Sequence, residues 1–170
     1  PARAELVRAI QAAASTARAL ILSDYRKGVV TPDVLSAASQ AATAAGIPLL
    51  VDPKVPVADR YRGATLLTPN HHEAELMTQT SIRSDEDARR AARTLHERTG
   101  ASIVITRGEQ GMWVLDAAGS GMVETSLAAT AREVADVTGA GDTVIAVLGL
   151  GLAAGASLTD AARLANRAAG

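Results

Sequence analysis

Three features of the 170-residue sequence predict a layered α/β fold with a mainly parallel sheet. Short aliphatic runs alternate with segments of helical length, the alternation that builds strand–helix–strand units. Several of these runs end in polar residues, as in Ser23-Asp24, Asp52-Pro53-Lys54 and Thr68-Pro69-Asn70, and parallel sheets bind ligands at the carboxyl ends of their strands. Apolar residues make up 48% of the chain, yet it holds no Phe, one Trp and two Tyr. The core must therefore be Ala, Val, Leu and Ile, which suits helices packed closely on a buried sheet.

The elements follow in order. Residues 3 to about 18 carry Leu6, Ile10 and Ala13-Ala14 between arginines, the stripe of an amphipathic helix. Ala19 to Leu22 reads as a short buried strand that delivers Ser23-Asp24-Tyr25-Arg26-Lys27-Gly28 to its carboxyl end. Thr31 caps the next helix with Pro32 at its first position, and Gly46 closes it. Pro48 to Val51 is the second strand and, after an irregular stretch at 56–63, Thr65 to Leu67 is the third. Asn70 opens a short helix that ends near Thr78. Ser84 with Asp87 resembles a capping box for a helix through His96 to Arg98, stopped by Gly100. Ser102 to Ile105 is the fourth strand, with Met112 to Leu115 its antiparallel hairpin partner and Met122 to Ser126 a ragged strand beyond a glycine turn. Arg132-Glu133-Val134 then feeds the segment A-D-V-T-G-A-G-D-T, a long apolar helix follows, and Ser157 caps a last helix from Leu158 to Ala169. Gly149 and Gly151 lack the preceding strand of a dinucleotide fingerprint and read as close helix packing.

Bulk properties narrow the function. One domain over residues 1–170 with a sizeable core is expected. A net charge of −1 with acids and bases interspersed offers no basic face for nucleic acid. Without cysteine there is no disulfide framework and no thiolate metal site. The start P-A-R-A-E-L-V-R has no signal-peptide core, and the apolar run from Val144 to Ala154 is too short to cross a bilayer, so a soluble cytoplasmic protein is expected, with no membrane partner.

The segment from Ala135 to Gly155 organises the rest: an extended stretch, a turn of small residues, then a buried helix. A helix leaves its first N–H groups unpartnered and carries partial positive charge there, so anions bind at that end. Gly139, Ala140 and Gly141 have almost no side chain to keep a phosphate away. Asp142 sits in the first turn. It reads either as a capping residue beside a glycine turn or as a base that takes a hydroxyl proton while the amides stabilise a transferring phosphoryl group. Lys27 and Lys54, the only lysines, each stand in a turn after an aliphatic run, where a compact ammonium suits a phosphate as a point charge. The adjacent His71 and His72 point about 100° apart on a helix and cannot chelate one ion.

D-V-T-G-A-G-D-T resembles the signature of the ribokinase-like (PfkB) carbohydrate kinases. That resemblance implies a ribokinase-like three-layer αβα core that uses ATP and Mg²⁺, with Asp142 as catalytic base and Gly139, Ala140 and Gly141 as anion hole. Asn70-x-x-Glu73 matches the family's N-x-x-E element, which organises water and Mg²⁺ near the ATP phosphates; without the resemblance it is equally a capped helix. Asp136 is expected to fix the loop or to help hold Mg²⁺ through water. Thr106-Arg107-Gly108-Glu109-x-Gly111 resembles the nucleotide loop T-x-G-x-x-G, implying ATP contacts from Thr106, Gly108 and Gly111. Ala165 to Gly170 resembles the A-N-x-A-A-G helix beside the adenine pocket, which points to Asn166.

S-D-Y-x-K-G, V-D-P-K, Y-R-G-A-T-L-L-T-P-N-x-x-E and T-R-x-E-Q-G-M are similar to one branch, the heptose 7-phosphate kinases of lipopolysaccharide precursor synthesis. It implies a sugar phosphate as the small-molecule partner and allows a homodimer. Two departures matter: the family's N-terminal sugar pocket with its β lid and its C-terminal end are both missing, so the chain reads as a fragment of a longer kinase. Another sugar kinase of the family, or a non-catalytic nucleotide-binding fragment, are the alternatives.

Overall fold

The computed structural model describes residues 2–119, 121–130 and 139–169. Among these residues the sheet has six strands whose spatial order follows the chain: β1 (Leu20–Ser23), β2 (Leu49–Asp52), β3 (Leu66–Leu67), β4 (Ser102–Thr106), β5 (Met112–Asp116) and β6 (Val123–Leu127); the extended stretch expected before Thr138 lies outside the described residues. The first four are parallel; β5 runs antiparallel to both β4 and β6, as the hairpin reading requires. The helices are α1 (Ala2–Ala14), α2 (Pro32–Ala45), α3 (His71–Thr78), α4 (Asp85–Thr99), α5 (Ala140–Ala153) and α6 (Leu158–Ala168).

Alternation along the strands sorts the core into two layers. Leu49, Val51, Leu67, Ile103, Ile105, Trp113 and Leu115 face one side, where Leu35 and Ala38 of α2, Met77 of α3 and Leu95 of α4 cover them. Leu50, Leu66, Val104, Met112 and Val114 face the other, against Val144, Ile145 and Leu148 of α5 and Ala161, Ala162 and Ala165 of α6. The result is the expected αβα sandwich. Small residues let the second layer close up: a Cβ on Gly151 would lie 2.7 Å from the Ala161 Cβ, and one on Gly149 would lie 2.9 Å from Ile21 Cδ1. These two glycines serve helix packing.

Element edges differ from expectation where hydroxyls compete for the backbone. α1 stops at Ala14, not near residue 18, because Ser15 and Thr16 turn their hydroxyls back to the carbonyls of Ala12 and Ala13 (2.7 and 3.4 Å). Thr65 lies outside β3, and its Oγ1 accepts from the Leu49 amide at 3.0 Å. The stretch expected to be irregular holds a 3₁₀ turn, Ala58–Tyr61, with Tyr61 wholly buried. α5 begins at Ala140, capped by Gly139 at φ +83°, so Asp142 stands in its first turn.

Candidate active site

Because β1 to β4 are parallel, their carboxyl ends share one rim. Ser23 pairs in register with Asp52, Asp24 follows β1, and a bridge between Asn70 and Thr106 sets the N-x-x-E element beside the T-x-G-x-x-G loop. The strand ends thus bring together residues that lie 83 positions apart in the chain, from Ser23 to Thr106.

One part of this rim is a satisfied charge cluster. Lys54 Nζ lies 2.6 Å from Glu73 Oε1 and 3.4 Å from Asp52 Oδ2, and Ser23 Oγ donates to that same Asp52 oxygen at 3.4 Å. The other Glu73 oxygen accepts from the Asn70 amide at 2.8 Å, while Asn70 Oδ1 accepts from the Glu73 amide at 2.9 Å, a complete capping box. Burial pushes the Asp52 carboxyl above its usual range, and the nearby Glu73 charge adds to this against the pull of Lys54. Burial alone would lower the Lys54 ammonium, but its hydrogen bond to Glu73 and the two carboxylate charges outweigh that and hold it up. Lys54, expected to meet a phosphate, is here held between two carboxylates. Lys27 stands exposed in the loop after β1.

Behind the cluster sits a buried hydroxyl. Tyr61 Oη donates to Asp24 Oδ2 (2.9 Å) and accepts from the amides of Lys54 (3.2 Å) and Val55 (2.9 Å). Asp24 Oδ1 accepts from the Arg26 amide at 2.9 Å. Burial, with the adjacent Asp24, pushes the Tyr61 phenol up to about 12. The sequence assigns Tyr61 no role of its own; its signals are that it opens the Y-R-G-A-T-L-L-T-P-N-x-x-E motif and is one of three aromatic residues among Phe, Trp and Tyr.

The second part of the rim is open among the described residues: a Cβ built on Gly139 or Gly141 meets none of their atoms within 4 Å. The first backbone bond closing the helix comes from the Thr143 amide to the Gly139 carbonyl at 2.9 Å, so the amides ahead of it have no partner within the helix. Asp142 is exposed at this opening, and Tyr25 Oη donates to its two carboxylate oxygens at 3.0 and 2.9 Å. Asp136 lies outside the described residues.

Thr106 ends β4, and the loop after it turns through a 3₁₀ turn, Gly108–Gln110, to Gly111. Gly111 has φ +78°, and a Cβ there would lie 1.9 Å from the Leu127 carbonyl oxygen, so only glycine fits. Arg107, at the variable position of the motif, is buried: its Nη1 binds Asp85 at 2.7 Å, and its Nη2 donates to the Gln110 carbonyl (3.3 Å) and Ser126 Oγ (3.4 Å). Ser126 and Arg107 hold the Asp85 carboxyl below its usual range. Asn166 Nδ2 donates to the Ala128 carbonyl at 2.7 Å, tying α6 to the chain leaving β6.

The ring centres of His71 and His72 lie 3.9 Å apart, tilted by 39°, rather than diverging by the full angle between successive helix positions. Among the described residues, no three His, Asp or Glu side chains group so as to hold a metal directly. Each Glu73 oxygen already takes one hydrogen bond, so this carboxylate fits a Mg²⁺ that keeps its water shell. The first amides of α5, which have no partner within the helix, and the space at Gly139 and Gly141 among the described residues fit a phosphate chain.

Comparison with known proteins bears on the family and the fold. The description "pfkB family carbohydrate kinase" matches residues 2–170. A bifunctional protein HldE of Pelobacter propionicus is 49% identical over 152 residues, which cover 89% of this chain and 30% of that protein. The HldE protein of Caulobacter sp. is 52% identical over 153 residues, covering 89% of this chain and 31% of its own. The chain thus spans about a third of the length of these curated relatives. Phosphofructokinase-2 from Escherichia coli superposes with a TM-score of 0.81 at 23% identity, over 98% of this chain and 54% of that one.

Proposed function

The chain belongs to the pfkB family of carbohydrate kinases, and from that premise we propose that the protein carrying it transfers the γ-phosphoryl group of ATP to a sugar phosphate. One observation carries this reading: Asp142, in the first turn of α5, is exposed beside amides that have no partner within the helix, with clear space over the flanking glycines among the described residues. An acceptor hydroxyl on Asp142 would give up its proton to that carboxylate as its oxygen bonds to the phosphorus. The bond from phosphorus to the bridging oxygen of ADP would break, with the amides of Gly139, Ala140 and Gly141 facing the developing charge. Mg²⁺, when bound with the nucleotide, neutralises phosphate charge. Glu73 would hold it through water, and Asp136 is proposed for the same work. Thr106, Gly108, Gly111 and Asn166 are proposed for the nucleotide side.

For the acceptor we infer heptose 7-phosphate, phosphorylated at its anomeric hydroxyl in the cytoplasm. S-D-Y-x-K-G, V-D-P-K and the 49% and 52% identities to HldE proteins support this. The test is to supply the full gene product with Mg-ATP and a panel of free and phosphorylated sugars. The expected result is preferential consumption of heptose 7-phosphate with a new anomeric phosphate. Preference for another sugar would reassign the acceptor, and nucleotide binding with no turnover on any acceptor would overturn the kinase reading.

A further inference from the structure

We propose that Tyr25 is a displaceable guard on the base: in the acceptor-free protein its phenol occupies the place on Asp142 that an acceptor hydroxyl takes, and so keeps water from using that carboxylate. This rests on the kinase reading above.

The contact is between a loop and a helix start 117 residues apart in sequence, and it engages both oxygens of the carboxylate, at 3.0 and 2.9 Å. Each oxygen is within the hydrogen-bond reach a general base needs of the proton it takes, so the phenol covers both places where an alcohol could be held. The bond is not a by-product of packing, because Tyr25 is 58% exposed and buries little of its ring.

The loop beneath is held in one shape. Arg26 has φ +56°, a left-handed conformation that costs a non-glycine residue about 1 kcal/mol. It is fixed there by its amide bond to Asp24 Oδ1 at 2.9 Å, and Asp24 is itself 3% exposed and bonded to the buried Tyr61 hydroxyl. Tyr25 is therefore presented to Asp142 from an anchored backbone, with its own side chain more than half exposed to solvent. An incoming sugar hydroxyl exchanges one O–H donor on Asp142 for another, a nearly even trade. Water, which brings no further binding contacts, competes poorly with a tethered phenol.

The measurement is acceptor-independent ATP hydrolysis by the full gene product with Mg-ATP alone, in wild type, Tyr25→Phe, and Tyr25→Phe with Asp142→Asn. Losing one hydroxyl contact on a carboxylate should raise hydrolysis in Tyr25→Phe by about two- to tenfold, and the acceptor KM should fall, since no phenol has to be displaced. The increase should vanish in the double variant. Unchanged or lower hydrolysis in Tyr25→Phe overturns the guard, as does an increase that persists without the Asp142 carboxylate. A wild-type protein that phosphorylates no sugar or sugar phosphate is a different result: it removes the kinase reading before Tyr25 is altered, and the guard falls with it.

Discussion

Two stretches of the same rim handle their carboxylates in opposite ways. At the ends of β2 and β3, Asp52 and Glu73 share Lys54, and Glu73 also completes the capping box of α3. At the start of α5, among the described residues, Asp142 has one exposed phenol for a partner and open space over its glycines. A carboxylate whose bonds are already made contributes shape. One whose partner can leave is able to change partners during a reaction. The satisfied cluster fixes where the strand ends lie, and the open helix start is left to meet the ligand.

The largest test of that contrast is Asp142→Asn in the full gene product. Asn keeps an oxygen for Tyr25 and removes the base, so kcat should fall about 10²–10⁴-fold with little change in KM for ATP or in the unfolding midpoint. A near-normal kcat would mean that the open end is only a helix start.

Next comes a comparison of the two lysines. Lys54→Met leaves Asp52 and Glu73 facing each other with no cation between them. After allowance for the partly exposed ammonium, this should cost about 2 kcal/mol in urea unfolding. Lys27→Met, in the exposed loop, should stay within roughly 0.5 kcal/mol. Adding Glu73→Gln to Lys54→Met should restore part of the loss by relieving the carboxylate repulsion. Equal costs for the two lysines would erase the distinction between closed and open ends.

What was legible in the sequence divides along the same line. Periodicity, caps and turn residues gave the order of helices and strands, because each is set by residues a few positions apart. Thr31, Gly46, Ser84 and Gly100 cap as expected. Asn70 and Glu73 were legible as a pair for the same reason. Partnerships across the fold were not. That Lys54 lies between Asp52 and Glu73 depends on where β2 and β3 set down their ends, and that Tyr25 reaches Asp142 depends on β1 lying under α5. Arg107 looked like a variable loop residue, yet its guanidinium is buried against Asp85 and Ser126, one on α4 and the other on β6. No local pattern encodes such contacts.

The smallest effect is expected from Tyr61, and it separates a hydroxyl that belongs to the closed end from one that is merely buried. Its phenol is pushed up to about 12, above the ordinary value near 10, by burial and by the Asp24 carboxylate. Between those two values the unfolded chain loses the proton and the folded chain keeps it. The unfolded state then binds fewer protons, so stability falls as pH rises through that window and is fully present below pH 10. Lys54, also held up in the fold, adds a loss of the same sign above its ordinary value of 10.5. Tyr61→Phe cannot ionise. At pH 9 it should be less stable than wild type, because Asp24 and the Lys54 and Val55 amides each lose a partner. Between pH 9 and pH 12 the gap should narrow by about 1–2 kcal/mol as wild type loses its Tyr61 contribution and the variant does not. Urea midpoints of both proteins at the two pH values measure this. A gap that stays constant would mean that Tyr61 ionises in the fold as it does in water, and that the closed end admits solvent after all.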